Sequence, residues 1–219
     1  MKLWRRELKV QLIDSMGDDL SVVNAARVSF SKIADKFTDR DEKLINYLAK
    51  HNHWTPFSQV QYQVRISAPI FVARQWFKHQ IGITRNEVSR RYVDYTPEFY
   101  ETRLWRKRPE NKKQGSSDTS FFSESELDTV GFIYSDAVRH ASDAYYAMID
   151  RSVAPEQARA VLPQAMYTEW VETGSLAAAA RIVGLRDQDD AQKEIRDLAI
   201  MLHNEIQFIA PVSWGALTE

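Results

Sequence analysis

The sequence predicts an α+β fold, a mainly antiparallel sheet flanked by helices. Three observations point there. Val60, Tyr62, Val64, Ile66 and Ala68 alternate with Gln61, Gln63, Arg65 and Ser67, the two-residue period of a strand with one dry face. The segment "MYTEWVET" reads as a second strand. Around both lie segments whose apolar residues recur every three to four positions, as on helices, and nothing requires the crossovers of a doubly wound sheet.

The elements follow in order. "DDLSVVNAARVSF", residues 18 to 30, predicts a short amphipathic helix leading into a loop. In "DRDEKLINYLAKHNH", Leu44, Ile45 and Leu48 have helical spacing, and acids occupy the first turn, where the helix dipole favours them. Pro69 closes the first strand and suits the start of a helix over 70–79. On that helix Arg74 and Lys78 share one face, Gln75 and His79 the next. Gly82, Thr84 and Asn86 then favour turns, with "EVSRR" extended after them. Residues 101 to 122 have the composition of a polar insertion. Ser123 and Glu126 have capping-box spacing, opening a long helix to about Ser152. Pro155 begins a short helix that Pro163 ends, and Ser175 is placed to cap "LAAAARIVGL". The last helix, from about Ala191, carries Ile195, Leu198, Leu202, Ile206 and Ile209. One domain over residues 1–219 is expected.

Composition narrows the function. A net charge of -1 argues against a general polyanion binder. No apolar run is long enough to span a bilayer, and "MKLWRRELKV" lacks the apolar core of a signal peptide, so a cytoplasmic protein without a membrane partner is expected. With no cysteine, thiolate nucleophiles, Cys-held zinc and iron–sulfur clusters are excluded. Any covalent chemistry must come from another side chain or a cofactor.

One stretch departs from this balance. From Arg74 to Arg91 stand Arg74, Lys78, Arg85, Arg90 and Arg91 against the single acid Glu87. Such a cluster repels itself unless an anion offsets it, and a turn offering Ser, Arg and backbone N–H groups suits a phosphate. A solvated basic helix end with surface salt bridges is the plainer reading. His51 and His53 are two apart, cannot face one way on a helix, and no acid completes a metal triad, so no metal is expected. Arg159, Arg181 and Arg186, each read alone, are most simply surface cations. Nothing matches a phosphate-binding glycine loop, and no Ser, His and Asp arrangement is specific enough for a triad.

Taken together, "LSVVNAARVSF", "HWTPFSQVQYQVRISAPIFVARQWFKHQ", "NEVSRRY", "ARAVLPQAMYTEW" and "GLRDQDDAQKEI" resemble, in order and over nearly the whole chain, the flavin-dependent thymidylate synthase family. Two departures stand out. The family's Arg-His-Arg signature, followed by seven residues and Ser, is here Lys78-His79-Gln80, eight residues and Ser89. The family's Asn-x-Arg turn is here Ser175-Leu176-Ala177.

The resemblance implies that family's fold and a reductive methylation. A methylene group passes from methylenetetrahydrofolate to dUMP, FAD reduced by NADPH supplies the hydride, and dTMP is formed. The missing cysteine agrees, since the classical thymidylate synthase needs a Cys nucleophile. By resemblance the dUMP contacts are Gln75, Lys78, Glu87, Val88, Ser89, Arg90, Arg91, Arg159 and Arg186. Arg186 is also the catalytic cation that stabilises negative charge on the uracil ring. The FAD contacts are His53, Thr55, Lys78, His79, Gln80, Glu87, Ser175 and Arg181. The family's FAD sites lie between subunits, which implies a homotetramer; no nucleic acid is implied.

Two other readings remain open. The altered signature also suits a flavin enzyme acting on another pyrimidine deoxynucleotide, or one stopping at a hydroxymethylated product. The basic cluster with "RLWRKR", from Arg103 to Arg108, also suits a nucleic-acid-binding protein whose affinity falls steeply with salt.

Overall fold

The computed structural model describes residues 3–92, 95–102, 104–108, 116 and 122–218. It bears out the α+β expectation. In chain order the elements are β1 (Trp4–Arg5), β2 (Lys9–Met16), α1 (Asp19–Arg27), α2 (Asp39–Lys50), β3 (Gln61–Pro69), α3 (Ile70–Trp76) and β4 (Ile83–Glu87). Then come β5 (Phe99–Tyr100), α4 (Glu124–Ile149), α5 (Pro155–Ala158), β6 (Tyr167–Ser175), α6 (Leu176–Arg186), α7 (Lys193–Ile206) and α8 (Pro211–Thr218). The main sheet is antiparallel, with strand order β2-β3-β6-β4. Gln63 donates to Thr173 and Ser67 to the carbonyl of Thr168, so numbering rises along β3 as it falls along β6.

The chain divides into two compact units. The first comprises Met1–Leu8, Ser67–Gln75 and Glu87–Glu169. Its small core joins Phe99, Val138 and Met166, against which Trp4, Ile70, Tyr134 and Leu162 pack. β1 pairs in parallel with β5, Trp4 opposite Phe99. α4 begins where the capping box predicts: Glu126 accepts from the Ser123 backbone N–H at 2.7 Å, and the Ser123 hydroxyl accepts from the Glu126 N–H. Pro155 opens α5, where its fixed φ and missing N–H cost nothing.

The second unit comprises Lys9–Ile66, Trp76–Asn86 and Trp170–Glu219. The dry face of β3 buries Tyr62, Val64 and Ile66, and α7 buries Ile195, Leu198, Leu202 and Ile206 along one stripe. Each such side chain contributes about 1.5–3 kcal/mol of transfer free energy. Ser175 caps α6 by accepting from the Ala178 N–H at 3.2 Å.

Several local expectations are corrected. The helix expected over 70–79 stops at Trp76, so Lys78 and His79 leave the helix and share no face with Arg74 and Gln75. Trp76 buries its indole and donates to Glu172 at 2.8 Å, while Arg85 donates to the His79 carbonyl at 2.5 Å; these contacts hold the chain out of helical register. The segment read as turns is β4, and the stretch read as extended instead turns at Ser89, where the Tyr92 N–H reaches the Ser89 carbonyl at 3.0 Å. β4 is pinned from β6 by bonds near its two ends, Val88 N–H to Glu169 carbonyl and Ser175 N–H to Gly82 carbonyl. The last predicted helix ends at Ile206 rather than reaching Ile209, and α8 follows it unforeseen. The Asp19 carboxylate accepts from the Val212 and Ser213 N–H groups at the start of α8, a cap supplied from the far end of the sequence. β2 was also unforeseen, because among its residues only Val10 is buried. Of the polar insertion, Arg103 and residues 109–115 and 117–121 lie outside the described residues.

Candidate active site

In the first unit, β4 ends at Glu87 and the chain turns through Ser89, Arg90 and Arg91. Across from this turn, the short helical segment after Pro155 supplies Glu156 and Arg159. Together they line a cavity of about 700 Å³. Glu87 is fixed by the Thr168 hydroxyl, which donates to its Oε1 at 2.6 Å. Ser89 Oγ accepts from both the backbone N–H and the Nε of Arg91, at 3.3 and 3.2 Å. The Arg91 guanidinium also lies 4.9 Å from the Tyr92 ring centre. Arg159 donates its Nε to the Glu156 carbonyl at 3.3 Å. Both Arg91 and Arg159 are exposed, so their charge is offered to solvent or to an anion entering the cavity.

Arg90 differs. It is buried, stacks 4.3 Å from the Tyr95 ring centre and donates to the Tyr95 carbonyl, so its cation is spent on shaping the turn. Val88 lines the same cavity, while Gln75, half-buried on α3, is not among the lining residues.

The second unit holds the remaining candidates. The Arg186 Nε donates to His79 Nε2 at 2.9 Å. Nε2 must therefore be the acceptor, and the neutral ring carries its proton on Nδ1. Burial, then the Arg186, Arg85 and Arg181 cations, push the His79 pKa down to about 4, so the ring is neutral at pH 7. Behind it, Arg85 joins the His79 carbonyl to Glu172, Nε to Oε2 at 2.6 Å. Glu172 is fully buried and also accepts from Tyr62 at 2.9 Å, Trp76 at 2.8 Å and Trp170 at 3.4 Å.

Two cavities in this unit share Asn52 and Trp54. One, of about 780 Å³, is lined by His53, Thr55 and Asn24; the other, of about 340 Å³, by Ser175, Arg181 and Ile81. Arg181 donates to the Ile81 carbonyl at 2.6 Å. Gly82 turns the chain here at φ +76°, and a Cβ on it would crowd Ala178 and Ser175 at 3.2 Å. Lys78 and Gln80 are exposed. Trp54 is 63% and Ile81 75% exposed, so flat apolar surface stands beside a fixed cation. Those features fit a planar aromatic cofactor bearing phosphates. Among the described residues, no group of three His, Asp or Glu side chains converges as a metal site.

Thr168 and Glu172 were not singled out from sequence, and Arg85 was read only as one cation of the basic cluster, with no buried partner foreseen. A signal for one existed: Glu172 shares strand parity with Trp170 and Gly174, an acid on a dry face.

The family model described as "Thymidylate synthase complementing protein" matches residues 11–212. A flavin-dependent thymidylate synthase from Thermus thermophilus is 38% identical over 210 residues, covering 96% of this chain and 75% of its own length. One from Thermosipho africanus is 36% identical over 209 residues, covering 94% and 89%. Among solved structures, a UMP/dUMP methylase from Streptomyces cacaoi bound with 5-Br dUMP superposes with a TM-score of 0.87 at 28% identity, covering 100% of this chain and 97% of that one.

Proposed function

The chain belongs to the flavin-dependent thymidylate synthase family, and from that premise we propose that it converts dUMP to dTMP with methylenetetrahydrofolate, NADPH and FAD. The observation that carries this reading is the convergence of Glu87, Ser89, Arg91 and Arg159 on one cavity. Two exposed guanidinium groups and a hydroxyl suit a nucleotide phosphate. Glu87, held by Thr168, adds a fixed acceptor for a donor on the nucleotide.

Arg186 is the catalytic cation in this reading. His79 takes up its Nε, which leaves the two terminal amino groups to donate to a uracil carbonyl oxygen. Negative charge on that oxygen raises the nucleophilicity of the ring carbon that receives the one-carbon unit. A preorganised donor at developing charge lowers a barrier by roughly 3–4 kcal/mol. A neutral His79 does not compete with Arg186 for that charge. FAD, when bound, supplies the hydride that completes the methyl group. His53, Thr55, Ser175 and Arg181, with Lys78, His79 and Gln80 of the altered signature, are the residues that would hold it. The exposed Trp54 and Ile81 agree with FAD sites completed in a homotetramer, which sedimentation of the FAD-loaded protein tests.

The likeness to the Streptomyces cacaoi UMP/dUMP methylase favours a second reading, in which UMP is also methylated at the same carbon. Mass spectrometry after incubation with labelled methylenetetrahydrofolate, NADPH, FAD and either nucleotide separates the two. Labelled dTMP is expected from dUMP. Product from both nucleotides supports the second reading, and no methylated nucleotide from either overturns both.

A further inference from the structure

The Glu172 carboxylate is fully buried and lines none of the three cavities described above, yet four donors converge on it. Burying a charge is costly unless it is paired and hydrogen-bonded, and an apolar side chain between Tyr62, Trp76 and Trp170 would serve packing alone. A role in packing therefore leaves the charge unexplained. What the charge does locally is fix Arg85. The Arg85 Nε is taken by Glu172, and its opposite edge is thereby directed to the His79 carbonyl. That carbonyl belongs to the residue whose ring receives the Arg186 Nε. The three links, Glu172 to Arg85 to His79 to Arg186, all lie in the second unit and run without a gap from the buried sheet face to the guanidinium.

The fold also leaves room around Glu172 and shapes the chain at His79. Gly174 follows Glu172 on the same face of β6, and a Cβ there would stand 2.7 Å from the Tyr62 hydroxyl that donates to Glu172. α3 stops at Trp76, and the carbonyl of His79 accepts from Arg85 rather than from a helical N–H. Without Arg85 nothing else among the described contacts ties that carbonyl down.

We propose that Glu172 is a positioning residue: by anchoring Arg85 on the His79 carbonyl it aims the His79 ring at Arg186 and so sets where the Arg186 guanidinium is held. The proposal rests on Arg186 as the catalytic cation for its kinetic consequence, but not for its geometric one. Displacing a reacting group's partner by about 1 Å costs on the order of 100-fold in rate. Glu172→Gln keeps shape and one acceptor but releases the charge, and Arg85→Lys keeps charge but loses the two-edged grip.

The test reads both consequences. First, imidazole NMR of the purified full chain, with the His79 signal assigned by its loss in His79→Gln, follows titration of the ring. The groups facing it are Arg186, Arg85 and Arg181. In the parent it is expected to titrate near 4; in Glu172→Gln and Arg85→Lys it is expected to rise toward the ordinary histidine value as the ring leaves its half-buried place. Tyr62→Phe removes another donor to Glu172 while leaving Arg85 in place, so it lowers thermal stability and leaves the His79 titration and kcat as in the parent. Second, kcat of the FAD-loaded enzyme is expected to fall about 100-fold in Glu172→Gln with KM for dUMP nearly unchanged. In an Arg186→Ala background the same substitution should add nothing. Should Glu172→Gln not fold, Arg85→Lys carries both measurements. An unshifted His79 titration in both variants, or losses in Tyr62→Phe equal to those in Glu172→Gln, would overturn the proposal. A shifted titration with no turnover in the parent would instead uphold the geometry and fault the assigned reaction.

Discussion

Two pairs of cations, one pair in each unit, are held in opposite ways. In the first, Arg91 and Arg159 stand exposed at the edge of a cavity, steadied by one hydroxyl, one carbonyl and one aromatic ring. In the second, Arg85 is nine-tenths buried against a fully buried acid, and Arg186 is held through a neutral histidine. Exposed cations are cheap to build and adaptable, which suits capture of a mobile anionic ligand. Buried and cross-linked cations cost desolvation but do not reorganise during reaction, which suits charge stabilisation in a transition state. Binding and chemistry are therefore expected to respond to different substitutions.

The largest effect tests that separation. Arg186→Ala should lower kcat roughly 100- to 1,000-fold while flavin content, read by absorbance, stays near the parent's. Arg91→Ala and Arg159→Ala should each raise the dUMP dissociation constant by about 10- to 100-fold, the size of a lost charge-assisted bond, with a smaller change in the single-turnover rate. Matching losses in all three variants would erase the contrast.

The sequence reveals the fold best where the cause is local. β3 shows its alternation, α2 its periodicity, and α4 and α6 their Ser123 and Ser175 caps, because each needs residues only a few positions apart. Where the cause is distant the reading fails. α8 is capped by Asp19, and α3 is cut short by contacts that Trp76 and His79 make with Glu172 and Arg85. The site divides the same way. Arg90 and Arg91 look alike as a basic run and both line the cavity, yet the fold ties the Arg90 guanidinium to Tyr95 and leaves that of Arg91 exposed. Spacing gives no hint that Arg159 joins them, and the family resemblance supplied that. The Glu172 anchor went unread because an acid flanked by aromatics on a strand gains its meaning only when Arg85 arrives from β4.

Acid sharpens the comparison at a smaller scale. His79 has its folded-state pKa near 4, below the unfolded value near 6.5. Between those values the unfolded chain binds a proton that the folded chain refuses, so stability falls as pH drops from about 6.5 to about 4. In urea melts across that window, His79→Gln should flatten the slope, whereas Arg91→Ala should not. Smallest of all, Ser123→Ala removes the α4 cap and should cost about 1 kcal/mol, a fall in Tm of roughly 2–4 °C, with kcat and dUMP affinity unaltered. A kinetic change from that remote cap would mean the division between the two groups of cations is not local.

The most direct measurement of the whole account is anaerobic absorbance of the FAD-loaded protein. NADPH is expected to bleach the flavin band, and adding dUMP with methylenetetrahydrofolate should restore it as dTMP forms in equal amount. A band that returns without methylated nucleotide, or one that NADPH and dUMP leave untouched, would contradict the account.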